Sequence, residues 1–304
     1  MTATNAAMPQ KTVLVTGATN GIGKATALEL ARRGYRVLVT SRDAVKGQQV
    51  LDEIKAQSGN GALELFVGDL SSMSDVRRIA LEVRARHPKL DVLINNAGGT
   101  FNERQLTVDG FEYTFAFNHL AYFLLTTLLL PSLKAAGKAR VVSVSSSGNT
   151  LGRMRWDDLQ FSTGYSSGAA YSQSKLMNVL FSNALARRFQ GSGVTSNSLH
   201  PGVVNSGFGK TISGPMRLLY RAVNLFAISA EKGARTNVYL ATSAQVDGVT
   251  GQYFVKQKPA RANPVAYDET AQERLWALSE KLLAPWLDPV ESAHSDWQLA
   301  DARK

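Results

Sequence analysis

A tyrosine and a lysine four residues apart give the strongest chemical signal in this sequence of 304 residues. The segment Tyr171-Ser172-Gln173-Ser174-Lys175 has helical periodicity, so the first and last side chains fall on one face of a helix. A phenol has a pKa of about 10, and a nearby ammonium lowers it by favouring the phenolate. The pair can therefore act as a general acid–base near neutral pH. Taken alone, the spacing also fits an ordinary pair on a helix surface.

A glycine-rich turn near the N-terminus gives the second signal, with the sequence Thr16-Gly17-Ala18-Thr19-Asn20-Gly21-Ile22-Gly23. It follows an apolar strand-like run and precedes a helix-like one, which is the context of a dinucleotide-binding loop. Gly17 permits the tight turn, Gly21 lets backbone N–H groups approach a pyrophosphate, and Gly23 lets the helix pack on the strand. By itself, such a turn also fits a simple connection.

Strand-like and helix-like segments alternate along most of the chain. Strands are predicted at 12–16, 36–40, 63–67, 91–95, 140–145, 194–199 and 252–256. Helices are predicted at 22–33, 44–57, 74–86, 109–134, 170–189, 216–227, 231–243 and 269–283. The alternation predicts an α/β protein with a single-domain Rossmann fold, in which a doubly wound parallel sheet of about seven strands carries helices on both faces. We expect this domain to span 11–284, between a flexible N-terminus at 1–10 and a polar tail at 285–304.

Composition excludes several classes of function. The absence of cysteine rules out disulfides, thiolate metal sites and cysteine nucleophiles, and four dispersed histidines give no reason to expect a metal site. The net charge of +10 is scattered rather than clustered, so we expect no nucleic-acid binding, although the positive field would attract an anionic cofactor. The apolar run 115–133 contains polar residues and a proline and is predicted to be a buried helix. Residues 1–11 are polar and lack a signal-like apolar stretch, so we expect a cytoplasmic protein.

Seven ordered motifs together resemble the short-chain dehydrogenase/reductase family, and within it the retinol-dehydrogenase-like branch. The resemblance covers residues 11–283 and is highly specific for the family but only weakly specific for the substrate. Its motifs are Thr16–Gly23, Asp69-Leu70, Asn95-Asn96-Ala97-Gly98, Phe117-Asn118-His119-Leu120, the Ser145–Ser147 run, Tyr171–Lys175 and His200-Pro201-Gly202.

The resemblance implies four catalytic residues. Tyr171 would exchange the hydroxyl proton, Lys175 would lower the pKa of that tyrosine and bind the nicotinamide ribose, and Asn118 would hold a water that links Lys175 to solvent. Ser146 would donate a hydrogen bond to the reacting carbonyl oxygen. Three consecutive serines leave the register open, with Ser145 as the alternative.

The resemblance also implies a set of cofactor contacts. Asp69 would accept a hydrogen bond from the adenine amino group, Asn95 would mainly hold the sheet together, and His200 would have no catalytic role. The implied cofactor-binding residues are Gly17, Thr19, Asn20, Gly21, Ile22, Gly23, Ser41, Arg42, Asp69, Leu70, Asn96, Ala97, Gly98, Tyr171, Lys175, Pro201, Gly202, Val204 and Ser206.

The residues after the second predicted strand indicate which nicotinamide cofactor binds. An acidic residue at the end of this strand selects NAD, whereas a nearby arginine receives the 2′-phosphate of NADP. Here Ser41 occupies the acidic position and Arg42 follows it, which favours NADP(H). In the competing interpretation Asp43 accepts from the ribose, although its position also suits a helix cap.

We therefore expect an NADP-dependent alcohol dehydrogenase or carbonyl reductase acting on an apolar or aromatic ketone or aldehyde, with residues 208–228 capping the substrate. The alternative is a catalytically silent NADP-binding regulator or scaffold on the same fold. A light-dependent reductase of the porphyrin-reducing branch would use a cysteine, which this chain lacks. The resemblance also implies a homodimer or homotetramer formed through helices 109–134 and 170–189. The apolar positions Leu124, Leu128, Leu176 and Leu180 fit either that interface or the core.

Overall fold

In the computed structural model, which describes residues 10–203 and 228–287, a single sheet runs through the protein. Its strands are β1 (Thr12–Val15), β2 (Arg36–Ser41), β3 (Leu63–Val67), β4 (Val92–Asn95), β5 (Ala139–Val144), β6 (Val194–His200), β7 (Gln252–Val255) and β8 (Lys258–Ala260). They lie in the order β3-β2-β1-β4-β5-β6-β7-β8.

The strand order places a binding crevice at the carboxyl ends of the strands. The first seven strands pair in parallel, and only β8 runs antiparallel, against β7. The order reverses between β1 and β4, so the loops that follow these two strands diverge there. The predicted doubly wound sheet is confirmed, and β8 is an addition that the sequence pattern did not predict.

Helices cover both faces of the sheet. They are α1 (Gly21–Arg32), α2 (Ala44–Ser58), α3 (Met73–Arg86), α4 (Tyr113–Ala135), α5 (Ser167–Arg188), α6 (Ala230–Thr242) and α7 (Glu269–Leu283). Alternate strand residues serve two separate cores: Val13 and Val37 pack with α1 and α2, whereas Leu14 and Leu38 belong to the core that contains α3, α4, α5 and α7. Burial on both faces explains why these strands read as nearly continuous apolar runs.

Helix α4 is a buried core helix, as the sequence indicated. It is the one helix in the described residues that is long and apolar enough to cross a membrane, with a mean hydropathy of 1.3, but 89% of the scored window is buried inside the protein. Its second turn, Ala116–Leu120, is π-helical, an irregularity that frequently marks functional positions.

The helix faces expected to form either a subunit interface or the core are core in this structure. Leu124, Leu128, Leu176 and Leu180 are all completely buried within the single chain. Helix α7 covers this region, where Trp276 stacks on Phe181 with ring centroids 5.9 Å apart and meets the edge of Phe123 at 4.7 Å. The apolar positions that suggested an interface are therefore already used inside the protomer.

Packing continues beyond the predicted domain boundary at 284. The indole of Trp286 donates a 3.0 Å hydrogen bond to Ser74 Oγ and packs against Phe111 with a centroid distance of 6.1 Å. Leu287 is also buried. The domain therefore extends at least to Leu287.

Candidate active site

The glycine-rich turn joins β1 to α1 and has the tight geometry that the sequence predicted. Gly17 has φ +64°, and a Cβ on it would lie 2.9 Å from the α-carbon of Ala97. Gly21 has φ +51°. A Cβ on Gly23 would lie 2.3 Å from the carbonyl oxygen of Gly17, so this position needs glycine for the helix to pack against the turn. The turn thus forms a narrow cradle of backbone that larger residues would fill.

The N-terminus of α1 opens beside this cradle and carries backbone donors. Asn20 occupies the N-cap in an extended conformation, but its side chain makes no capping hydrogen bond, and the first turn contains no acidic residue. Thr19 and Ile22, the neighbouring positions predicted to contact the cofactor, are partly exposed. The first N–H groups of α1 therefore remain free of side-chain caps, as an anion-binding helix end requires.

Thr16 connects the glycine-rich turn to the loop after β4. Its hydroxyl accepts hydrogen bonds from the backbone N–H of Asn96 at 2.9 Å and of Ala97 at 3.0 Å. In return, the Asn96 side-chain amide donates to the carbonyls of Thr16 at 2.9 Å and Gly17 at 3.3 Å. Asn96 thus fixes the shape of the cradle with its side chain. No role for the Thr16 hydroxyl could be predicted from the sequence, because its partners lie some 80 residues away in the chain.

Two residues after β2 and β3 approach each other at the expected adenosine end of the site. Arg42 is 74% exposed, and its Nη1 lies 3.9 Å from Asp69 Oδ2. Asp69 Oδ1 accepts from the backbone N–H and the hydroxyl of Ser71, both at 2.8 Å, while Leu70 is buried. One carboxylate oxygen of Asp69 is therefore held by its own loop, and the other faces Arg42.

The structure shows Asp43 in the capping role that its position suggested. Its Oδ1 accepts from the backbone N–H of Lys46 at 3.0 Å, so Asp43 is the N-cap of α2. The buried hydroxyl of Ser41 also serves this turn, because it donates to the Asp43 carbonyl at 2.6 Å. Ser41 and Asp43 are thus both engaged in the turn that begins α2, whereas the exposed Arg42 side chain extends into solvent.

Tyr171 and Lys175 lie one turn apart on α5, as predicted. Tyr171 is partly exposed, whereas Lys175 is buried, and its Nζ lies 5.7 Å from the centroid of the Tyr171 ring. Lys175 Nζ donates to the carbonyl of Val144 at 3.2 Å. Burial lowers the pKa of Lys175 to about 7, because the charged ammonium is deprived of water.

The consecutive serines after β5 have different surroundings. The buried Ser145 hydroxyl donates to the Lys175 carbonyl at 2.6 Å and thereby ties β5 to α5. Ser146 is more exposed, and its hydroxyl accepts from the backbone N–H of Gly148 at 3.1 Å. A Cβ on Gly148 would lie 3.4 Å from Cε1 of Tyr171 and 3.6 Å from Ser146 Oγ, so these two side chains border the same small space. Of the two serines, Ser146 is therefore the one whose hydroxyl lies on the side of Tyr171.

Asn118 lies in the π-helical turn of α4 and faces Lys175 across a glycine. Its Oδ1 accepts from the N–H of Gly99 at 2.9 Å, and its Nδ2 donates to the carbonyl of Gly99 and to Ser174 Oγ, both at 2.9 Å. A Cβ on Gly98 would lie 3.0 Å from Lys175 Nζ and 3.2 Å from Asn118 Oδ1. The ammonium and the amide oxygen therefore converge on the backbone of Gly98.

Two further residues, which sequence reasoning missed, hold the segment that carries Ser146. Asn149 Nδ2 donates to the Ser146 carbonyl at 2.6 Å and to Tyr253 Oη at 3.0 Å, and the Tyr253 hydroxyl donates to the same carbonyl at 3.3 Å. Burial raises the pKa of Tyr253 to about 12, so this phenol stays neutral. Tyr253 lies on β7, more than 100 residues from Ser146, and no local pattern connects the two.

The loop after β6 begins at the same end of the sheet. Gly202 has φ +98°, and a Cβ there would lie 2.7 Å from Ile228 Cδ1. The Val203 carbonyl accepts a hydrogen bond from the N–H of Ile228 at 2.8 Å, so the backbone at Ile228 lies next to that at Val203. Pro201 and Gly202 are in place, whereas Val204, Ser206, the predicted helix at 216–227 and nearly all of the expected capping segment 208–228 lie outside the described residues.

Asn95 and His200 are two motif residues that the sequence did not place in the catalytic set. Asn95 is fully buried, and its Nδ2 donates to Thr126 Oγ1 at 2.9 Å, which links β4 to α4. Burial lowers the pKa of His200, so this imidazole is neutral near pH 7.

Comparisons of the sequence with known proteins match this chain to one family. The family model described as short chain dehydrogenase matches residues 11–216. Retinol dehydrogenase 12 of Mus musculus is 42% identical over 280 residues, covering 92% of this chain and 88% of the relative. Retinol dehydrogenase 14 of Homo sapiens is 40% identical over 292 residues, covering 91% and 87%.

Solved structures have the same architecture. An uncharacterised protein from Mycobacterium paratuberculosis has a TM-score of 0.74 and 37% identity, covering 90% of this chain and 94% of its own. The complex of Pseudomonas aeruginosa RhlG with NADP has a TM-score of 0.65 and 26% identity, covering 80% and 93%. A variant of actinorhodin polyketide ketoreductase with NADPH has a TM-score of 0.63 and 25% identity, covering 81% and 95%.

Proposed function

The chain belongs to the short-chain dehydrogenase family, and we propose that it is an NADP(H)-dependent oxidoreductase that interconverts an apolar or aromatic ketone or aldehyde and its alcohol. The observation that carries the proposal is the buried Lys175 Nζ beside the Tyr171 ring and close to Gly98 in the loop after β4, with the Ser146 hydroxyl on the other side of the Tyr171 environment, near Gly148. A protein that only binds a nucleotide has no need for this acid–base pair.

The residues present fit a dinucleotide. The backbone cradle of Gly17, Gly21 and Gly23 and the uncapped N-terminus of α1 suit a pyrophosphate, and Asp69 retains an acceptor oxygen for the adenine side. Ala97 and Gly98 border the nicotinamide end, where Lys175 lies under Gly98. When bound, the nicotinamide supplies the hydride that reduces the carbonyl carbon.

Residues of the protein supply the proton that the carbonyl oxygen takes up. In the direction of reduction, the Tyr171 hydroxyl transfers its proton to the carbonyl oxygen and is left as phenolate, while Ser146 Oγ donates a hydrogen bond to the same oxygen. Protonated Lys175 favours the phenolate form. Asn118 Oδ1 and Lys175 Nζ both lie close to the α-carbon of Gly98, which supports a water-mediated route by which Tyr171 regains its proton from solvent.

Arg42 supports the preference for NADP(H). Its guanidinium extends into solvent at the end of β2, where it can bind phosphate oxygens in a bidentate manner, and no carboxylate stands at Ser41. Asp43 is occupied as the cap of α2. Two of the structural relatives carry NADP or NADPH in their complexes.

An aromatic cluster supports the apolar substrate class. A Cβ on Gly99 would lie 3.2 Å from Phe101 Cζ and 3.8 Å from Phe117 Cε1, so these rings flank the loop that Asn118 holds. Phe101 packs edge-on against Tyr113 with centroids 4.4 Å apart, and each of these rings is only partly buried. The cluster offers an apolar wall close to the reacting centre.

A panel of aromatic and aliphatic ketones and aldehydes, followed by the loss of NADPH absorbance, tests the proposal. We expect turnover of apolar carbonyl compounds in preference to sugars. Tight NADPH binding with no turnover of any compound would instead favour a catalytically silent regulator on the same fold.

A further inference from the structure

A second tyrosine lies next to the catalytic lysine. Tyr122 is on α4, one turn beyond Asn118, and is 2% exposed. Lys175 Nζ lies 5.9 Å from the centroid of the Tyr122 ring and 5.7 Å from that of Tyr171. The ammonium is therefore within cation–π range of two phenol rings carried by two different helices.

In the part of the chain that the structure describes, Lys175 Nζ has few hydrogen-bond or ion-pair partners. Its Nζ makes one hydrogen bond, to the Val144 carbonyl at 3.2 Å, and Asn178 Nδ2 donates to the same oxygen at 3.2 Å. Among the described residues, no carboxylate forms an ion pair with Lys175. An ammonium buried with so little compensation depends on weaker contacts, and the negative face of an aromatic ring is such a contact.

From this arrangement we infer that Tyr122 is a positioning residue for the acid–base pair: its ring face stabilises the charged form of Lys175 and so favours ionisation of Tyr171. The inference rests on the proposed function, because it assigns Tyr122 a part in setting the proton affinity of the catalytic tyrosine. The ring, rather than the hydroxyl, is the active part, since the Tyr122 hydroxyl is buried and has no hydrogen-bond partner among the described residues.

Burial determines which of the two phenols ionises. Desolvation raises the pKa of Tyr122 well above its usual value, and the electrostatic effect of Tyr171 raises it further. Tyr122 therefore stays neutral, whereas Tyr171 is partly exposed at the site opening. Tyr253 on β7, the other phenol coupled electrostatically to Tyr171, also stays neutral, with a pKa of about 12. Of these three phenols, Tyr171 is therefore the one whose ionisation the charge on Lys175 can favour near neutral pH.

Four substitutions separate the effect of the ring from that of the hydroxyl and from general packing. Tyr122→Phe keeps the aromatic face, whereas Tyr122→Leu removes it, with Tyr122→Met as a longer aliphatic replacement should the leucine variant fold poorly. Phe123→Leu is the matched control, because Phe123 is equally buried on α4 but packs against Trp276.

The direct readout is the pH titration of the Tyr171 phenolate by near-ultraviolet absorbance, taken as the difference from the same variant carrying Tyr171→Phe. The pH profile of kcat/KM with NADPH and an accepted carbonyl compound is the second readout. Loss of the ring contact lowers the charged fraction of Lys175, so Tyr122→Leu or Tyr122→Met should raise the pKa of Tyr171 by about half to one unit. Tyr122→Phe and Phe123→Leu should leave it unchanged.

An unchanged Tyr171 pKa in both aliphatic variants would overturn the inference. An equal shift in Tyr122→Phe would also overturn it, because the hydroxyl would then be responsible, and so would an equal shift in Phe123→Leu, which would point to general loosening of the core. If no carbonyl compound is turned over, the proposed function fails, but the absorbance titration still decides whether Tyr122 acts on Lys175 and Tyr171.

Discussion

The hydroxyls of Ser145 and Ser146 have different partners, so we expect their removal to lower different properties of the protein. Ser146→Ala removes the donor beside Tyr171, so we expect kcat to fall about 10²–10³-fold, the usual effect of losing one preorganised donor. Ser145→Ala breaks the bond to the Lys175 carbonyl and should mainly lower the melting temperature. Steady-state kinetics with thermal unfolding of both variants checks this, and the reverse order of kcat losses would move the catalytic role to Ser145.

Cofactor choice is also a property of individual residues. A charge-assisted contact of Arg42 with the 2′-phosphate is worth about 1.5–3 kcal/mol, or roughly 10–150-fold in affinity. We expect the protein to favour NADPH over NADH by about this factor in kcat/KM, and Ser41→Asp with Arg42→Ala to reverse the order. Equal or better use of NADH by the unmodified protein would exclude Arg42 from this role.

The proximity of Tyr171 to Lys175 and the shape of the glycine cradle could be predicted because the spacing of these residues is local in the chain. Thr16, Asn149, Tyr253 and Tyr122 could not be assigned roles, because each acts through residues that are distant in sequence. Their residue types give no signal either, because a tyrosine in an apolar strand is interpreted as a core residue until the partner of its hydroxyl is known.

At the level of elements, the parallel strands and their helices followed from the sequence, whereas irregular features did not. Strand β8 contains Pro259 and follows a two-residue turn in which Lys256 and Gln257 have φ of +50° and +65°. Such turns are usually signalled by Asn-Gly, so no local signal marked this hairpin. The π-helical turn around Asn118 also has no local signal in the sequence.

The hydrogen bonds that connect the turn after β1 to the loop after β4 depend on the Thr16 hydroxyl. Thr16→Val leaves the N–H groups of Asn96 and Ala97 without their acceptor, at a cost of about 1–3 kcal/mol for each donor that finds no other partner. We expect a lower free energy of unfolding by denaturant and weaker NADPH binding. Thr16→Ser keeps the hydroxyl and should behave like the parent protein. Similar losses in both variants would show that the Thr16 hydroxyl does not stabilise this contact.

At the scale of the whole molecule, α7 is fastened to the core partly through a neutral histidine. His119 Nε2 lies 2.9 Å from Ser279 Oγ, and that hydroxyl donates to the Leu275 carbonyl at 2.8 Å, so the imidazole is the donor. His119 is completely buried among aromatic rings. Burial lowers its pKa from 6.5 to about 3, because the fold cannot solvate the imidazolium.

This histidine makes stability depend on acid pH. Below about pH 6.5 the unfolded chain binds a proton that the folded protein does not, so the contribution of His119 to the free energy of unfolding falls by about 1.4 kcal/mol per pH unit until pH approaches about 3. His119→Gln, which keeps a donor towards Ser279, should flatten the profile between pH 6 and 4 by about this slope. Denaturant unfolding across that range checks it, and parallel profiles for the two proteins would contradict the assignment.

The assignment of Tyr171 as the acid–base of an NADP(H)-dependent reaction can be tested by comparing the parent protein with Tyr171→Phe. NADPH binding is followed by fluorescence titration, and turnover is followed with a carbonyl compound that the parent protein accepts. We expect NADPH affinity within a few-fold of the parent value and a rate lowered by about 10²–10⁴-fold or more, because the phenyl ring keeps the shape of the site but has no proton to give. Near-normal turnover by Tyr171→Phe would show that Tyr171 is not the acid–base.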